Sequence, residues 1–302
     1  MADINGVINV YKEAGYTSHD VVAKLRGILK IKKIGHTGTL DPEAEGVLPI
    51  CIGNATKLCD LITDKQKEYQ GVLKLGVRTD TQDMTGKIIQ SYDGDINFSQ
   101  KEIEEVVQGF VGNISQIPPM YSALKVNGKK LYDLARQGIE VERKPRNITI
   151  HYINIDEVNM PYVTMTIGCS KGTYIRTLFN DIGDKLKTYG AMEKLLRTKS
   201  GNFVLDNTIK LSEIEDLVKE DALMNCDSFI TTDEVLSDFK KIHLKDEYKR
   251  FVINGNMIDA KMIDEDILVA GSYRVYIDSD RFVALYKTED AKTFVPEKMF
   301  LP

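Results

Sequence analysis

The sequence predicts an α+β protein with a second, smaller β domain at its C-terminal end. Three observations support this prediction. The chain has 302 residues, which corresponds to about two domains at roughly 150 residues each. Over the first 235 residues, stretches with helical spacing of apolar residues are interspersed with short alternating stretches. From residue 266 to residue 287, polar and apolar residues alternate, as in a β meander.

Two helices are predicted where apolar residues repeat every three or four positions. Residues 17–30 form the first, with Thr17 or Ser18 as its N-cap. The second follows the Lys171-Gly172 turn and carries an apolar stripe on one face. Arg176 lies in the first turn of this second helix and is expected to be buried.

Two further helices are predicted from capping signals. They cover residues 99–112, with Gly112 as the stop, and the acidic residues 212–224. Each begins with a serine and a glutamate three residues later, which is the pattern of a capping box: Ser99 with Glu102, and Ser212 with Glu215.

Strands are predicted where apolar side chains alternate with polar ones. Residues 69–77 and 162–169 are the clearest examples. Near the C-terminal end, Gly271 and Asp278–Asp280 mark the turns of the β meander. We therefore expect residues 240–302 to form the small β domain.

The composition is ordinary for a soluble globular protein, with 42% apolar and 28% charged residues. No run of about 18 apolar residues occurs, so no membrane span is expected. The N-terminal segment lacks the features of a secretory signal, which favours a cytoplasmic protein with reduced thiols. The four cysteines form no CxxC pair, and with four histidines they show no zinc-ligand spacing, so no metal is expected.

The net charge is −5, which by itself argues against a nucleic-acid partner. The charges are unevenly distributed, however. Residues 202–240 have ten acidic side chains and three lysines, whereas residues 120–150 have seven basic side chains and three acidic ones. Because phosphate binding requires a local basic surface rather than a basic total, residues 120–150 could bind the phosphates of a nucleic acid or form an ordinary solvated surface.

A glycine-rich stretch, GHTGTLDPEAEGVLPICIGNAT, covers residues 35–56 and contains one Asp-Pro step at Asp41. Glycine permits unusual backbone angles and close approach of another chain, and the residue before proline is held extended. The stretch is not a phosphate loop, since neither GxxxxGK[ST] nor GxGxxG after a strand is present. It therefore either reverses the chain or presents a carboxylate.

Two kinds of carboxylate chemistry fit this stretch. Asp41 and one of Glu43 or Glu45 could form the carboxylate pair of a glycosidase. Alternatively, Asp41 alone could be a nucleophile, if a cation both aimed the carboxylate and lowered its pKa. Arg176 could supply that cation through its planar fork, or could be a purely structural residue.

Five stretches resemble, in order, the motifs of the TruB family of tRNA pseudouridine-55 synthases, and together they span most of residues 1–205. They are GHTGTLDPEAEGVLPICIGNATKL, KEYQGVLKLGVRTDTQDMTG, IPPMYSALKVNGKKLYDLARQGIEVERKPR, CSKGTYIRTLFNDIG and LLRTKSGNF. The C-terminal part is similar, more weakly, to a PUA domain. One departure is that residues 12–15 read KEAG where the family often has Lys-Pro-x-Gly, which is expected to loosen a turn without affecting the chemistry.

The resemblance implies a pseudouridine synthase fold, with a central mixed and mostly antiparallel sheet flanked by helices and loops. It implies a catalytic domain over residues 1–235, an RNA-binding insertion at about 117–147 and a PUA-like domain over 240–302. It also implies a role for each matching residue. Asp41 attacks the target uridine, Tyr69 stacks on the uracil and handles a proton, and Arg176 pairs with Asp41.

Further residues are implied to bind the RNA. Leu196 corresponds to an apolar lid over the base, His36 to a histidine that holds the flipped loop, and Asp83 to a polar contact in that loop. Basic residues of the insertion are expected to contact phosphates: Lys129, Lys130, Arg143 and Arg146.

The implied reaction moves the uracil from a C1′–N1 to a C1′–C5 bond, so no cofactor is needed. Asp41 could attack C1′ of the ribose or C6 of the uracil, or the reaction could pass through a glycal-like species. The implied partner is the T stem-loop of tRNA, bound by a monomer without an obligate protein partner. Two alternatives are a guide-RNA-dependent enzyme of the dyskerin type and a tRNA-folding protein without catalysis.

Overall fold

Two β-sheets form the framework of the protein in a computed structural model that describes residues 4–126, 128–266 and 269–301. The larger sheet has ten strands and the smaller has five. Two short hairpins stand apart from both sheets. Helices are interspersed among the strands, so the predicted α+β class is confirmed.

The strands are β1 (Gly6–Lys12), β2 (Ile34–His36), β3 (Glu45–Ile52), β4 (Lys67–Leu75), β5 (Val77–Thr79), β6 (Ile88–Ser91), β7 (Gly112–Gln116), β8 (Lys125–Val126), β9 (Lys129–Lys130), β10 (Arg146–Asn159), β11 (Tyr162–Cys169), β12 (Gly190–Ser200), β13 (Phe203–Val204), β14 (Phe229–Thr231), β15 (Lys240–His243), β16 (Ile258–Asp259), β17 (Gly271–Ile277), β18 (Arg281–Thr288) and β19 (Thr293–Met299).

The α-helices are α1 (Ser18–Leu29), α2 (Cys59–Thr63), α3 (Gln100–Gln108), α4 (Leu131–Arg136), α5 (Ile175–Lys185), α6 (Leu211–Lys219), α7 (Thr232–Val235) and α8 (Lys249–Ile253). Short 3₁₀ helices cover Gly53–Leu58, Leu205–Asn207, Leu223–Asn225, Asp246–Tyr248 and Ala260–Met262.

The large sheet has the strand order β14-β1-β3-β12-β4-β11-β10-β7, with β2 paired to β3 and β13 paired to β12. β3 and β12 run parallel, and the other pairs within the described residues are antiparallel. The sheet is therefore mixed and mostly antiparallel, as the sequence predicts. This arrangement places β3, β12 and β4 side by side at its centre.

Both faces of the central strand β3 are covered, which explains its continuous apolar sequence. Leu48 and Ile50 pack into the main core together with α1 and α5. Val47 and Cys51 point to the other face, where they pack in a second cluster that includes Leu285 of the five-stranded sheet. The small sheet is thus held against the large one by apolar contacts.

The predicted helices α1 and α5 are confirmed, and their ends follow from local chemistry. Thr17 caps α1, and its side chain and that of Asp20 form a reciprocal capping box. In α5 the apolar stripe is buried against the large sheet, and Arg176 of its first turn is 4% exposed. The first turn of α5 therefore carries a guanidinium into the interior.

Two predicted helix boundaries are wrong. The capping box of Ser99 and Glu102 is present, but α3 ends at Gln108, and Gly112 begins strand β7. Pairing of residues 112–116 with β10 uses the backbone groups that a longer helix would need. Helix α6 begins at Leu211, where the Glu213 carboxylate accepts a hydrogen bond from the Lys210 N–H, so Ser212 is not its cap.

The predicted C-terminal meander is confirmed over β17 and β18, which are joined at Asp278–Asp280. Strand β17 begins at Gly271, whereas residues 267 and 268 of the predicted meander lie outside the described part of the chain. The five strands enclose their own apolar cluster, which includes Tyr273, Val275 and Phe294. The expected domain limits, 1–235 and 240–302, are consistent with these clusters and stay predictions.

Helix α5 and strand β12 are in close contact at Gly183, so a side chain at this position should destabilise the fold. A Cβ atom on Gly183 would lie 2.2 Å from the Gly190 nitrogen. This nitrogen belongs to the backbone of β12, which can shift only at a substantial cost in free energy. We expect Gly183→Ala to destabilise the fold by about 1–3 kcal/mol, the usual cost of overpacking. The measurement is the free energy of unfolding from urea titration.

Gly27→Ala is the matched control, because Gly27 also lies within a helix but a Cβ atom there would meet nothing within 4 Å beyond its own helix. This substitution is expected to stabilise the protein by about 0.4–1 kcal/mol, because alanine lowers the conformational entropy of the unfolded chain. Equal free energies of unfolding for the two variants would contradict the proposed packing of α5 on β12.

Candidate active site

The loop between β2 and β3 carries Asp41 and is fixed by hydrogen bonds at both ends. The backbone N–H and the hydroxyl of Thr37 each donate to the Pro49 carbonyl, at 3.1 Å. The Leu40 N–H donates to the Ser18 hydroxyl at 2.9 Å, at the start of α1. Asp41 is therefore held on a rigid turn rather than on a free loop.

A buried lysine fixes the residue that follows Asp41. The Lys12 ammonium donates to the Pro42 carbonyl at 2.8 Å, and the Gly15 N–H donates to the same oxygen at 3.0 Å. Burial lowers the pKa of Lys12 to about 8. The KEAG turn is therefore bonded to the Asp-Pro step.

Arg176 binds the Asp41 carboxylate with two nitrogens. Its Nε lies 2.8 Å from Oδ2 of Asp41, and its Nη2 donates to Oδ1 at 3.1 Å. This two-point geometry fixes both the position and the plane of the carboxylate. The predicted juxtaposition of Asp41 and Arg176 is present in the structure.

The same guanidinium joins two further segments to the site. Nη1 of Arg176 donates to the Thr81 carbonyl at 3.0 Å and lies 3.5 Å from the Asp83 carboxylate. Nη2 also donates to the Tyr121 carbonyl at 2.9 Å. Because the guanidinium is 5% exposed, these oxygens replace the water it loses on burial.

Asp83 lies in a turn and provides the second carboxylate near Arg176. Its Oδ1 accepts hydrogen bonds from the hydroxyls of Thr81 and Thr85, at 2.8 and 2.5 Å, and from the Thr85 N–H at 3.0 Å. Its side chain is 14% exposed. These contacts order the loop that follows β5, and contact of Asp83 with RNA stays a prediction.

The pKa of the Asp41 carboxyl is raised, chiefly because burial penalises its charged form. The charge of Arg176 lowers that pKa and the charge of Asp83 raises it. The effect of burial on this pKa is therefore larger than that of Arg176. Asp41 nevertheless keeps 36% of its side-chain surface exposed, so a ligand can reach it.

Asp41 lies at a cavity of about 270 Å³. The apolar side of this cavity is formed by Leu40, Tyr69, Ile175 and Leu195. Its charged lining residues are Asp41, Lys67, Lys171, Arg176 and Arg197. Glu43 and Glu45 are not among the described residues that line it, and they border a neighbouring groove that also contains Asp41.

Tyr69 lies on β4 and is 9% exposed. Its backbone is paired with Arg197 of β12 on one side and with Ile167 of β11 on the other. Burial raises the pKa of the Tyr69 phenol, and the charge of Arg197 opposes this rise. The structure therefore brings Tyr69 to the same cavity as Asp41 and Arg176.

Arg197 and Leu195 are site residues that the sequence analysis missed. Arg197 is 1% exposed, and its guanidinium donates to the carbonyls of Val47 at 2.6 Å and Gly38 at 3.3 Å. Alternation along a strand could have indicated that Leu195 and Arg197 share a face. That signal did not show which face lines the cavity.

Leu196, the expected lid, is placed differently from its neighbour Leu195. It is not among the residues that line the cavity, and its side chain packs over Gly46. It lines a neighbouring groove that also contains Asp41, Pro42 and Gln70. The apolar residue of β12 that lines the cavity together with Tyr69 is Leu195, and the lid role of Leu196 stays a prediction.

His36 lies at the end of β2, on the strand that leads into the Asp41 loop. Its Nδ1 accepts a hydrogen bond from the Gly38 N–H at 3.4 Å. Burial lowers the pKa of the imidazole, and the charge of Arg197 lowers it further. His36 does not line the cavity, and its contact with RNA stays a prediction.

The basic residues of the insertion differ in exposure and in their partners. Lys129 and Lys130 are exposed on β9, and Arg146 is exposed at the start of β10. Arg143 is largely buried and donates to the Glu140 carboxylate at 2.9 Å. Three of the four are therefore accessible to phosphates, and the fourth already has an acidic partner.

Within residues 4–126, 128–266 and 269–301, no group of three or more histidine, cysteine, aspartate or glutamate side chains could hold a metal ion. No helix in the same ranges is long and apolar enough to cross a membrane.

Two family models match the chain. The model described as TruB family pseudouridylate synthase (N terminal domain) matches residues 26–175. The model described as tRNA pseudouridylate synthase B C-terminal domain matches residues 176–237. Together the two models cover the Asp41 loop, strands β4 and β12, and helices α5 and α6.

Curated relatives agree with this match over nearly the whole chain. A tRNA pseudouridine synthase B of Lachnoclostridium phytofermentans is 49% identical and covers 99% of this chain and 100% of its own length. One of Clostridium tetani is 45% identical, covering 93% of this chain and 95% of its own length.

Solved structures show the same fold. A Cbf5-Nop10-Gar1 complex contains a chain with 29% identity and a TM-score of 0.74 that covers 98% of this chain and 85% of its own length. An H/ACA ribonucleoprotein bound to a substrate RNA containing 2′-deoxyuridine gives 27% identity and a TM-score of 0.73, with the same coverage. The expected fold is thus confirmed as that of a pseudouridine synthase. Within this class, the chain belongs to the TruB family.

Proposed function

We propose that this protein isomerises uridine 55 in the T-loop of tRNA to pseudouridine, without a cofactor. The observation that carries this proposal is the Asp41 carboxylate, which the fork of Arg176 holds at a cavity beside Tyr69. Curated relatives named tRNA pseudouridine synthase B support tRNA as the substrate class.

The chemistry requires one carboxylate and a dry site. The C1′–N1 bond breaks, the base turns, and a C1′–C5 bond forms, while C5 loses a proton and N1 gains one. Reactant and product are isomers, so no electron donor or group carrier takes part. Asp41 attacks the nucleotide in the ionised form, which the charge of Arg176 stabilises against the effect of burial.

The size of the cavity supports base flipping. Its volume of about 270 Å³ is just below the range of roughly 300–1,000 Å³ typical of pockets for drug-sized ligands, so it suits a single nucleotide base. A base reaches it only by leaving its stack, which costs a few kcal/mol. Stacking on the Tyr69 ring offsets part of that cost, and Leu195 helps to exclude water.

Outside the cavity, we assign RNA contacts to basic side chains that are exposed. Lys129, Lys130 and Arg146 are accessible to phosphates, whereas contact by Arg143 requires it to leave Glu140. We assign catalysis to residues 1–235 and additional RNA contacts to residues 240–302. The insertion at about 117–147 contributes the hairpin of β8 and β9 to the RNA surface.

The two alternatives make different predictions for purified protein. A guide-RNA-dependent enzyme would be inactive on tRNA in the absence of a guide and partner proteins. A tRNA-folding protein would bind tRNA but would form no pseudouridine. The curated relatives favour a tRNA enzyme, whereas the solved structures come from H/ACA ribonucleoproteins, so activity on tRNA alone separates these functions.

We expect Asp41→Asn to lower pseudouridine formation by roughly 10⁴-fold or more, as the loss of a nucleophile commonly does. Binding of tRNA should stay within about threefold, because the amide keeps the shape of the side chain and most of the RNA surface is elsewhere. The measurement is release of tritium from tRNA that carries 5-tritiated uridine.

Glu43→Gln is the matched control, since Glu43 lies two residues away, is exposed and does not line the cavity. It should release tritium at nearly the wild-type rate. Substantial release by Asp41→Asn, or an equal loss for both variants, would contradict the assigned role of Asp41.

The two adjacent leucines of β12 provide a second test. We expect Leu195→Ala to lower the single-turnover rate by about 10–100-fold, since covering a base with a leucine side chain is worth roughly 1.5–3 kcal/mol. Leu196→Ala, which removes the same atoms from the neighbouring groove, should have less than about a threefold effect on that rate. The reverse order of effects would return the lid to Leu196.

A further inference from the structure

Arg197 is the largest fully buried side chain of the described residues. It extends from β12 into the floor of the cavity, where it donates to the carbonyls of Val47 and Gly38. A neutral hydrogen-bond donor could hold both carbonyls. Burying a permanent positive charge costs free energy, and the two carbonyl bonds alone do not explain why a charged residue is present.

No aspartate or glutamate of the described chain lies within 4 Å of the Arg197 guanidinium. Arg176, which also lines the cavity, has two carboxylates nearby. Lys12 is as deeply buried as Arg197 and is also bonded to carbonyl oxygens. Its pKa is lowered to about 8, so Lys12 can lose its charge near neutral pH, whereas a guanidinium cannot.

Tyr69 lines the same cavity as Arg197. The two residues are directly paired across β4 and β12. Burial raises the pKa of the Tyr69 phenol, whereas the positive charge of Arg197 lowers it. Arg197 is thus the nearby cation that favours the phenolate form.

The proposed reaction includes two proton transfers, and a single acid–base group can carry out both. The base loses the proton on C5 and gains one on N1. A phenol that donates its proton to the base, and then takes the proton from C5 after the C1′–C5 bond has formed, ends unchanged. Between these two transfers its oxygen is a phenolate, which is costly in a buried site unless a cation lies beside it.

We propose that Arg197 is a positioning residue that stabilises the phenolate of Tyr69 while the proton is exchanged between N1 and C5 of the uracil. This inference rests on the proposed function. It assigns a role to the charge of Arg197, in addition to the structural role of its bonds to Val47 and Gly38.

The test is a double-mutant cycle on single-turnover rates, with enzyme in excess over tRNA. The variants are Arg197→Met, Tyr69→Phe and the double variant, with Arg197→Lys to keep the charge. We expect Arg197→Met to lower the wild-type rate about 100-fold, within the range of general acid–base effects, and Arg197→Lys to lose clearly less. In the Tyr69→Phe background, Arg197→Met should cost less than about threefold.

A purely structural arginine would slow both backgrounds by the same factor, and this result would overturn the inference. The single-turnover rate of Tyr69→Phe could be too low to measure, or Arg197→Met could fail to fold. In either case, the deuterium isotope effect on the rate, measured with deuterium at C5 of the uridine, distinguishes the proposed role from a purely structural one. A larger effect in Arg197→Met, or in Arg197→Lys, than in the wild type supports the inference, and an equal effect overturns it. Absence of pseudouridine with the wild-type protein would instead refute the proposed function.

Discussion

One buried guanidinium, that of Arg176, constrains the rest of the site. It contacts Asp41, the loop containing Thr81 and Asp83, and the Tyr121 carbonyl, which are far apart in the sequence. A buried cation is tolerated only where oxygens replace its water, so these segments must come together for the arginine to be buried. The same contacts aim the Asp41 carboxylate before any substrate is bound.

The surrounding fold keeps that guanidinium and its partner in place. Helix α5 can lie close to β12 because Gly183 has no side chain, and this fixes the first turn that carries Arg176. On the other side, Lys12 holds the Pro42 carbonyl next to Asp41. Rigid support of this kind reduces the reorganisation that the reaction would otherwise require.

Part of this arrangement could be predicted from the sequence, because local signals report it. The Asp-Pro step at Asp41, the cap at Ser99 and the strand at 162–169 are indicated by residues close in the chain. Two other features depend on tertiary contacts. The register of β12 against β4 decides that Leu195, and not Leu196, faces the cavity, and bulges in that pairing interrupt a simple alternation. Burial of Lys12 appears only once the Asp41 loop has folded over it.

We propose that the ion pair of Asp41 and Arg176 acts on a flipped uridine of tRNA, without a guide RNA or a partner protein. This proposal can be tested by mapping pseudouridine in an unmodified tRNA transcript after incubation with the purified protein alone. We expect one new pseudouridine, at position 55. Absence of pseudouridine, or its formation only when a guide RNA is added, would refute the proposal.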